Sequence, residues 1–243
     1  MSLVGQPQSY SDMLTRIFWA TLMAGVLCTF ALASVSPAAR NFLESWSAGI
    51  SIGVLDSVKA LYVLVPLGLA ILSRVFLLHD KVSDLFGIRR RFDLKNILRP
   101  LAEGVGFPAA GADWTRVEES RDLAMTRTFY RYASFTNPKI DIQMVRTAAD
   151  RWAWFWCTIE PQVILIAACS IFVVLRAWSW LLYLLSAMVV LILVGALLWP
   201  QLRKGARTQV AEILNNECWR EEVRSALYAI AATEGAPSRN RFE

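Results

Sequence analysis

Four long apolar runs decide what this chain can fold into. Ile17 to Val35 is 19 residues without a charge, and Ala60 to Leu78 is interrupted only by Arg74 near its end. Trp152 to Leu175 is 24 residues with one carboxylate, Glu160, and Ala177 to Trp199 is 23 residues with no charge. The hydrocarbon core of a bilayer is about 30 Å thick and takes roughly 20 helical residues to cross. Peptide groups facing lipid find no water to bond, so a run of this kind has to be helical. The composition is unlike that of a soluble domain. It is 56% hydrophobic and 19% charged with a mean hydropathy of +0.41, where soluble domains carry about 25% charged residues.

The expected fold is therefore an all-α integral membrane protein. Four transmembrane helices form two antiparallel hairpins, and helix extensions with short helices form a cytoplasmic bundle. The first run also fits a secretory signal, with Arg16, an apolar stretch and Ala31-Leu32-Ala33 as a cleavage site. Its length and single basic flank favour a retained span.

Orientation follows from lysine and arginine. Of 25 basic residues only Arg40, Lys59 and Arg176 lie in the links between spans one and two and between spans three and four. The stretch from Arg74 to Arg151 holds 14, the residues after Trp199 hold seven, and Arg16 precedes the first span. The basic side is the cytoplasmic one, so an inner (plasma) membrane protein with both termini in the cytoplasm is expected. The chain then divides into a cytoplasmic N-terminus (1–16), a first hairpin with an outer interfacial segment (17–78), a cytoplasmic helical region (79–151), a second hairpin (152–199) and a cytoplasmic helical tail (200–243). Trp152, Trp154, Trp156 and Trp199 fall at the inner border, and Trp178 and Trp180 at the outer turn. Indoles favour the headgroup level, so an interfacial belt is the better reading of this cluster than a ligand cage.

Outside the spans, Ser36-Pro37 starts a short outer helix with Phe42, Leu43 and Trp46 on one side, followed by a bend at Gly49 to Gly53. Asp93 is expected to cap a helix through Leu94, Ile97, Leu98 and Leu101 that ends at Gly104 to Gly106. Asp113 is expected to cap a second, from about Trp114 to Tyr132. Asn137-Pro138 would start a third that runs on into the third span. In the tail, Asn215-Asn216 interrupts the helix, and Trp219, Val223, Leu227 and Ile230 form an amphipathic stripe. Beyond Gly235 the composition suggests a frayed end.

Three features are candidates for function. Glu160-Pro161 places a carboxylate and a kink-prone residue inside the third span, where an ionisable group is costly unless it faces the bundle or water. It reads either as a pore-lining group or as a carboxylate bonded to a neighbouring helix. Arg89, Arg90 and Arg91 with Lys81, Lys95 and Arg99 form the densest basic patch. It suits anionic lipid, or a phosphorylated small-molecule ligand held by arginine forks. Thr21, Gly25, Thr29 and Ala33 form a small-residue row suited to close helix packing, within the chain or in a homo-oligomer.

No zinc-ligand spacing occurs among Cys28, Cys157, Cys169, Cys218 and the single His79, so neither a metal, a cofactor nor a disulfide framework is expected. No glycine-rich phosphate loop or catalytic motif is present. The positive balance is accounted for by topology, so no nucleic acid is expected. The chain reads as non-enzymatic: a pore-forming or membrane-perturbing effector controlled by its cytoplasmic helices, or else a scaffold or accessory subunit of a larger membrane complex.

Overall fold

The computed structural model describes residues 6–47 and 61–232, and among these every regular element is helical. In chain order they are α1 (Tyr10–Val35), α2 (Pro37–Ser47), α3 (Leu61–Val75), α4 (Leu78–Phe86), α5 (Ile88–Asp93), a π-helical turn (Leu94–Leu98), α6 (Arg99–Gly104), α7 (Ala112–Glu119), α8 (Arg121–Met125), a second π-helical turn (Thr126–Tyr130), α9 (Ile142–Val174), α10 (Trp178–Asn215) and α11 (Glu217–Ala232). Three helices, α1, α9 and α10, are long and apolar enough to cross a membrane. The chain divides into two compact units. Of the described residues, 9–82 and 151–199 belong to the first, and 6–8, 83–150 and 200–232 to the second.

In the first unit, Ser9 caps α1 by accepting from the Asp12 amide at 3.2 Å. The Ser36 hydroxyl accepts from the Ala39 amide at 3.2 Å to start α2. The second apolar run is not one straight helix. α3 stops at Val75, Leu77 adopts a left-handed backbone (φ 47°), and α4 restarts bent by 61°. An apolar composition through Phe76-Leu77-Leu78 carries no trace of this break. α4 itself is amphipathic, with His79, Val82 and Ser83 buried and Lys81, Asp84, Leu85 and Phe86 exposed. The bend expected at Gly49 to Gly53 lies outside the described residues, as do Lys59 and the end beyond Gly235.

α1 and α3 pair in opposite chain directions. Tyr10 meets His79, Ser11 and Thr15 meet Arg74, Gly25 meets Pro66, and Phe30 meets Tyr62. A Cβ on Gly25 would lie 3.0 Å from the Pro66 Cβ, so the small side is what allows the approach. α9 and α10 also pair in opposite order, Phe172 stacking on Trp180 and Phe155 packing on Trp199. Their joint is short: Arg176 takes φ 55° and the Ala177 amide reaches back to the Phe172 carbonyl at 3.0 Å, a Schellman-type ending. Cys28 and Ala31 of α1 share a buried cluster with Leu165, Ala168 and Phe172 of α9 and Leu184 of α10.

The second unit is organised on α11. Val223, Leu227 and Ile230, spaced by four and three residues, are fully buried. α11 also supplies cations to a helix end: Arg224 Nε donates to the Val105 carbonyl at 2.8 Å and Arg220 Nη2 to the Gly104 carbonyl at 3.3 Å. These are carbonyls at the end of α6 that its own ladder leaves open, and positive charge suits that pole. α10 and α11 are separated at Asn216, whose Oδ1 accepts from the Trp219 amide at 3.2 Å.

Several helix starts differ from expectation. Asp93 caps nothing; it lies inside a continuous helical path from Ile88 to Gly104 with its carboxylate engaged elsewhere. α7 begins after Gly111, whose φ of 86° suits glycine, with Asp113 already in the first turn. The single helix expected to Tyr132 is broken at Ser120 and ends in a π-helical turn. α9 starts at Ile142, not Pro138: the Lys139 amide bonds the Tyr132 carbonyl at 2.8 Å, and Asp141 Oδ1 accepts from Gln143 N at 2.9 Å. A side-chain oxygen two residues ahead is the stronger start signal.

Candidate functional site

Glu160 is 3% exposed, and its Oε1 is the meeting point of three helices. Thr21 of α1 donates to it at 3.1 Å, and Ser73 of α3 donates to the same oxygen in a short bond. The helix bearing it continues through Pro161 without a break. Thr21 is only four residues past Ile17 and Ser73 two before the end of α3, so the carboxylate meets its donors near the ends of the first two apolar runs.

Other polar contacts lie on the border side of this point. Arg16 is 6% exposed, and its guanidinium lies over the Trp154 ring at 5.8 Å. His79 is 5% exposed, with Nε2 at 3.1 Å from Tyr10 Oη and its ring edge-to-face with Trp156 at 6.0 Å. Arg74 approaches Thr15 and Ser11 at 3.4 and 3.5 Å. A polar seam thus joins α1, α3, α4 and α9, and its innermost member is Glu160. Buried polar groups that are mutually satisfied fix one helix arrangement.

The small row lies along the same side of α1. Thr21 and Ala33 are nearly inaccessible, Thr29 Oγ1 returns to the Gly25 carbonyl at 2.9 Å, and Ala33 packs with Leu43 and Tyr62. Its partner surface is therefore α3 of the same chain. The tryptophans separate by face: Trp154 and Trp178 are exposed, Trp152, Trp180 and Trp199 half-buried, and Trp156 is interior at 2%. Residues 152 and 156 are four apart on the inward face, with 154 opposite.

The basic patch is not one pocket. Lys81 lies over the Phe76 ring at 5.2 Å, and Arg99 pairs with Glu103 at 3.1 Å. Arg89 turns inward, its Nη2 3.4 Å from Tyr130 Oη and its Nε 3.9 Å from the Asp93 carboxylate. Arg90, Arg91 and Lys95 are exposed. Asp93 in turn is 5% exposed and 3.5 Å from Arg121. Burial pushes its carboxyl up to about 6, an effect that Arg89 and Arg121 only partly offset.

Sequence reasoning identified Glu160 but not its donors. Ser73, with Tyr62, supplies one of the two hydroxyls of the second apolar run, a signal that could have marked it, whereas Arg16 reads only as a basic flank and His79 only as the single histidine. A second polar cluster closes the bundle around α11: Tyr132 Oη donates to Glu222 Oε2 at 2.7 Å, and Arg131 pairs with the same oxygen at 3.2 Å. Burial first, and then this bond, push the Tyr132 phenol above its usual range, while the bond holds the Glu222 carboxyl below its own. Among the described residues no group of three or more His, Cys, Asp or Glu is placed to hold a metal ion.

No curated protein and no solved structure matches the chain. The YmfE protein family matches residues 9–228, which takes in both units and the whole polar seam. That match covers nearly all of the described chain, and the protein belongs to the YmfE protein family.

Proposed function

We propose that the protein is a non-enzymatic, four-span protein of the inner membrane that works as a scaffold or accessory subunit. Its second unit is the working part, and the first is its anchor. Four spans form two hairpins, α1 with the bent α3–α4 pair and α9 with α10, and both termini lie in the cytoplasm. The length and apolarity of α1, α9 and α10 support this reading, together with 22 basic residues on one side against three on the other.

The observation that carries the choice between anchor and pore is the state of Glu160. A pore-lining carboxylate faces water; this one is 3% exposed and accepts two hydroxyl hydrogen bonds from α1 and α3. Its polarity is spent on holding helices together. The test is planar-bilayer recording of the purified, reconstituted protein beside co-purification from native membranes. The scaffold reading expects no conductance from wild type and a partner retained at fixed stoichiometry. Conductance that changes its ion selectivity in Glu160→Gln would replace this reading with that of a pore-forming effector.

A further inference from the structure

α10 leaves the apolar run at Trp199 and continues for four more turns. From Trp178 to Trp199 is 22 residues, or about 33 Å along the axis, close to the thickness of the hydrocarbon core. Over the next three turns α10 has two faces. Leu202, Ala206, Val210 and Ile213 are buried in the second unit. The other face, Pro200, Arg203, Lys204, Arg207 and Thr208, lines an open groove of about 470 Å³ that also reaches Ala211. Spacings of three and four residues set these side chains in one strip. Three are cations, and no carboxylate lines the groove.

One of the cations is held in place. Arg203 Nε donates to Asn96 Oδ1 at 3.2 Å, and Asn96, 2% exposed, is itself fixed by donating from Nδ2 to the Phe92 carbonyl at 3.2 Å. A buried amide thus orients the guanidinium on a half-buried stem, while Lys204 and Arg207 are exposed beside it. Arg203 and Lys204 lie four and five residues past Trp199, about 6–8 Å along the axis, which is headgroup depth. A pre-set guanidinium flanked by a lysine and a second arginine matches a phosphate group, whose oxygens take arginine forks and lysine point charges.

We propose that the strip of Arg203, Lys204 and Arg207 on α10 is a binding site for a phosphate-bearing anion at the membrane border. The shared chemistry is a phosphoryl group, from an anionic lipid headgroup or a soluble phosphate compound. The basic patch at Arg89–Arg91 is a different surface and is not needed for this.

The experiment uses the full chain in mild detergent. Native mass spectrometry reads retained phosphatidylglycerol against phosphatidylcholine, and thermal unfolding reads added inorganic pyrophosphate. Wild type is compared with Arg203→Gln/Lys204→Gln/Arg207→Gln and with Arg90→Gln/Arg91→Gln/Lys95→Gln, which removes equal charge from exposed positions elsewhere. The site expects anion affinity to fall about a hundred-fold in the first variant, at roughly tenfold or less per cation, and to hold within about threefold in the second. Retained phosphatidylglycerol identifies the lipid as source, and stabilisation by pyrophosphate alone identifies a soluble ligand. Equal losses in both variants would mean diffuse charge attraction and overturn the site. So would undiminished binding in the first variant, or no preference of wild type for either anion. Circular dichroism of the first variant should be that of wild type, because the opposite face of α10 carries the packing.

Discussion

At the residue scale, the two buried carboxylates make opposite predictions. Both hydroxyls that reach Glu160 donate to Oε1. Glutamine keeps an oxygen there, so Glu160→Gln should change abundance and thermal stability little. Glu160→Ala leaves the two hydroxyls without their acceptor and should cost roughly 1–2 kcal/mol, the scale of helix–helix hydrogen bonds in membranes. A stability loss in Gln equal to that in Ala would show that the bonding geometry is not what matters. For Asp93 the folded carboxyl titrates at about 6, against about 3.9 for an unperturbed Asp. A raised folded value means that its contribution is most favourable below about pH 4 and is lost as pH rises through 6. Two pKa units correspond to about 3 kcal/mol. Lowering the pH from 7 to 5 should therefore stabilise wild type relative to Asp93→Asn, by about 1–2 kcal/mol in denaturant melts of the full chain. The depressed Glu222 carboxyl acts with the opposite sign, but only below the ordinary glutamate range, so it leaves this window clear. Parallel pH profiles of the two proteins would remove Asp93 from the account.

At the element scale, the turn after α9 offers a clean test. Arg176 holds φ 55° at the position where helix endings favour glycine. An L-residue there costs roughly 1 kcal/mol, partly offset by the greater freedom of glycine in the unfolded chain. Arg176→Gly should raise the stability of the α9–α10 pair by about 0.5 kcal/mol in thermal unfolding. A measurable loss would mean that the guanidinium holds the turn. The contrast between this turn and the α3–α4 break shows what the sequence could reveal. An arginine between two long apolar runs announces the first, and the stripe of Val223, Leu227 and Ile230 announces α11 just as openly, because both patterns are local. The break at Leu77 lies in the four apolar residues between Arg74 and His79, none of which marks it. Asp93 looked like a cap from its neighbours alone, but its partner Arg121 is 28 residues away. The donors to Glu160 are 139 and 87 residues away. Spacing along one helix reports which face is apolar; which polar group on another helix meets that face is decided only when the helices pack.

At the scale of the whole molecule, the proposed orientation can be read from the protein's own cysteines. Cys28, Cys157 and Cys169 sit in apolar helices of the first unit, while Cys218 is exposed on α11 in the second. A membrane-impermeant maleimide should therefore find one ready target, and its side of the membrane decides the topology. If the 22-to-three distribution of basic residues sets the orientation, Cys218 is cytoplasmic. It should then stay unlabelled in intact spheroplasts and react once the membrane is opened. The converse position is Arg40, near the start of α2 and on the other side of α1 from Ser9. In Arg40→Cys/Cys218→Ser, labelling should occur in intact spheroplasts. The pair also tests the number of spans. Both residues follow α1, so residues 40 and 218 share a side only if the helices between them cross an even number of times. With the bent α3–α4 pair as one crossing and α9 and α10 as two more, Arg40 and Cys218 lie on opposite sides. If α3 and α4 return to the side they came from, three crossings remain in all. Position 218 then falls on the same side as position 40, and labelling of both from outside would replace four spans with three.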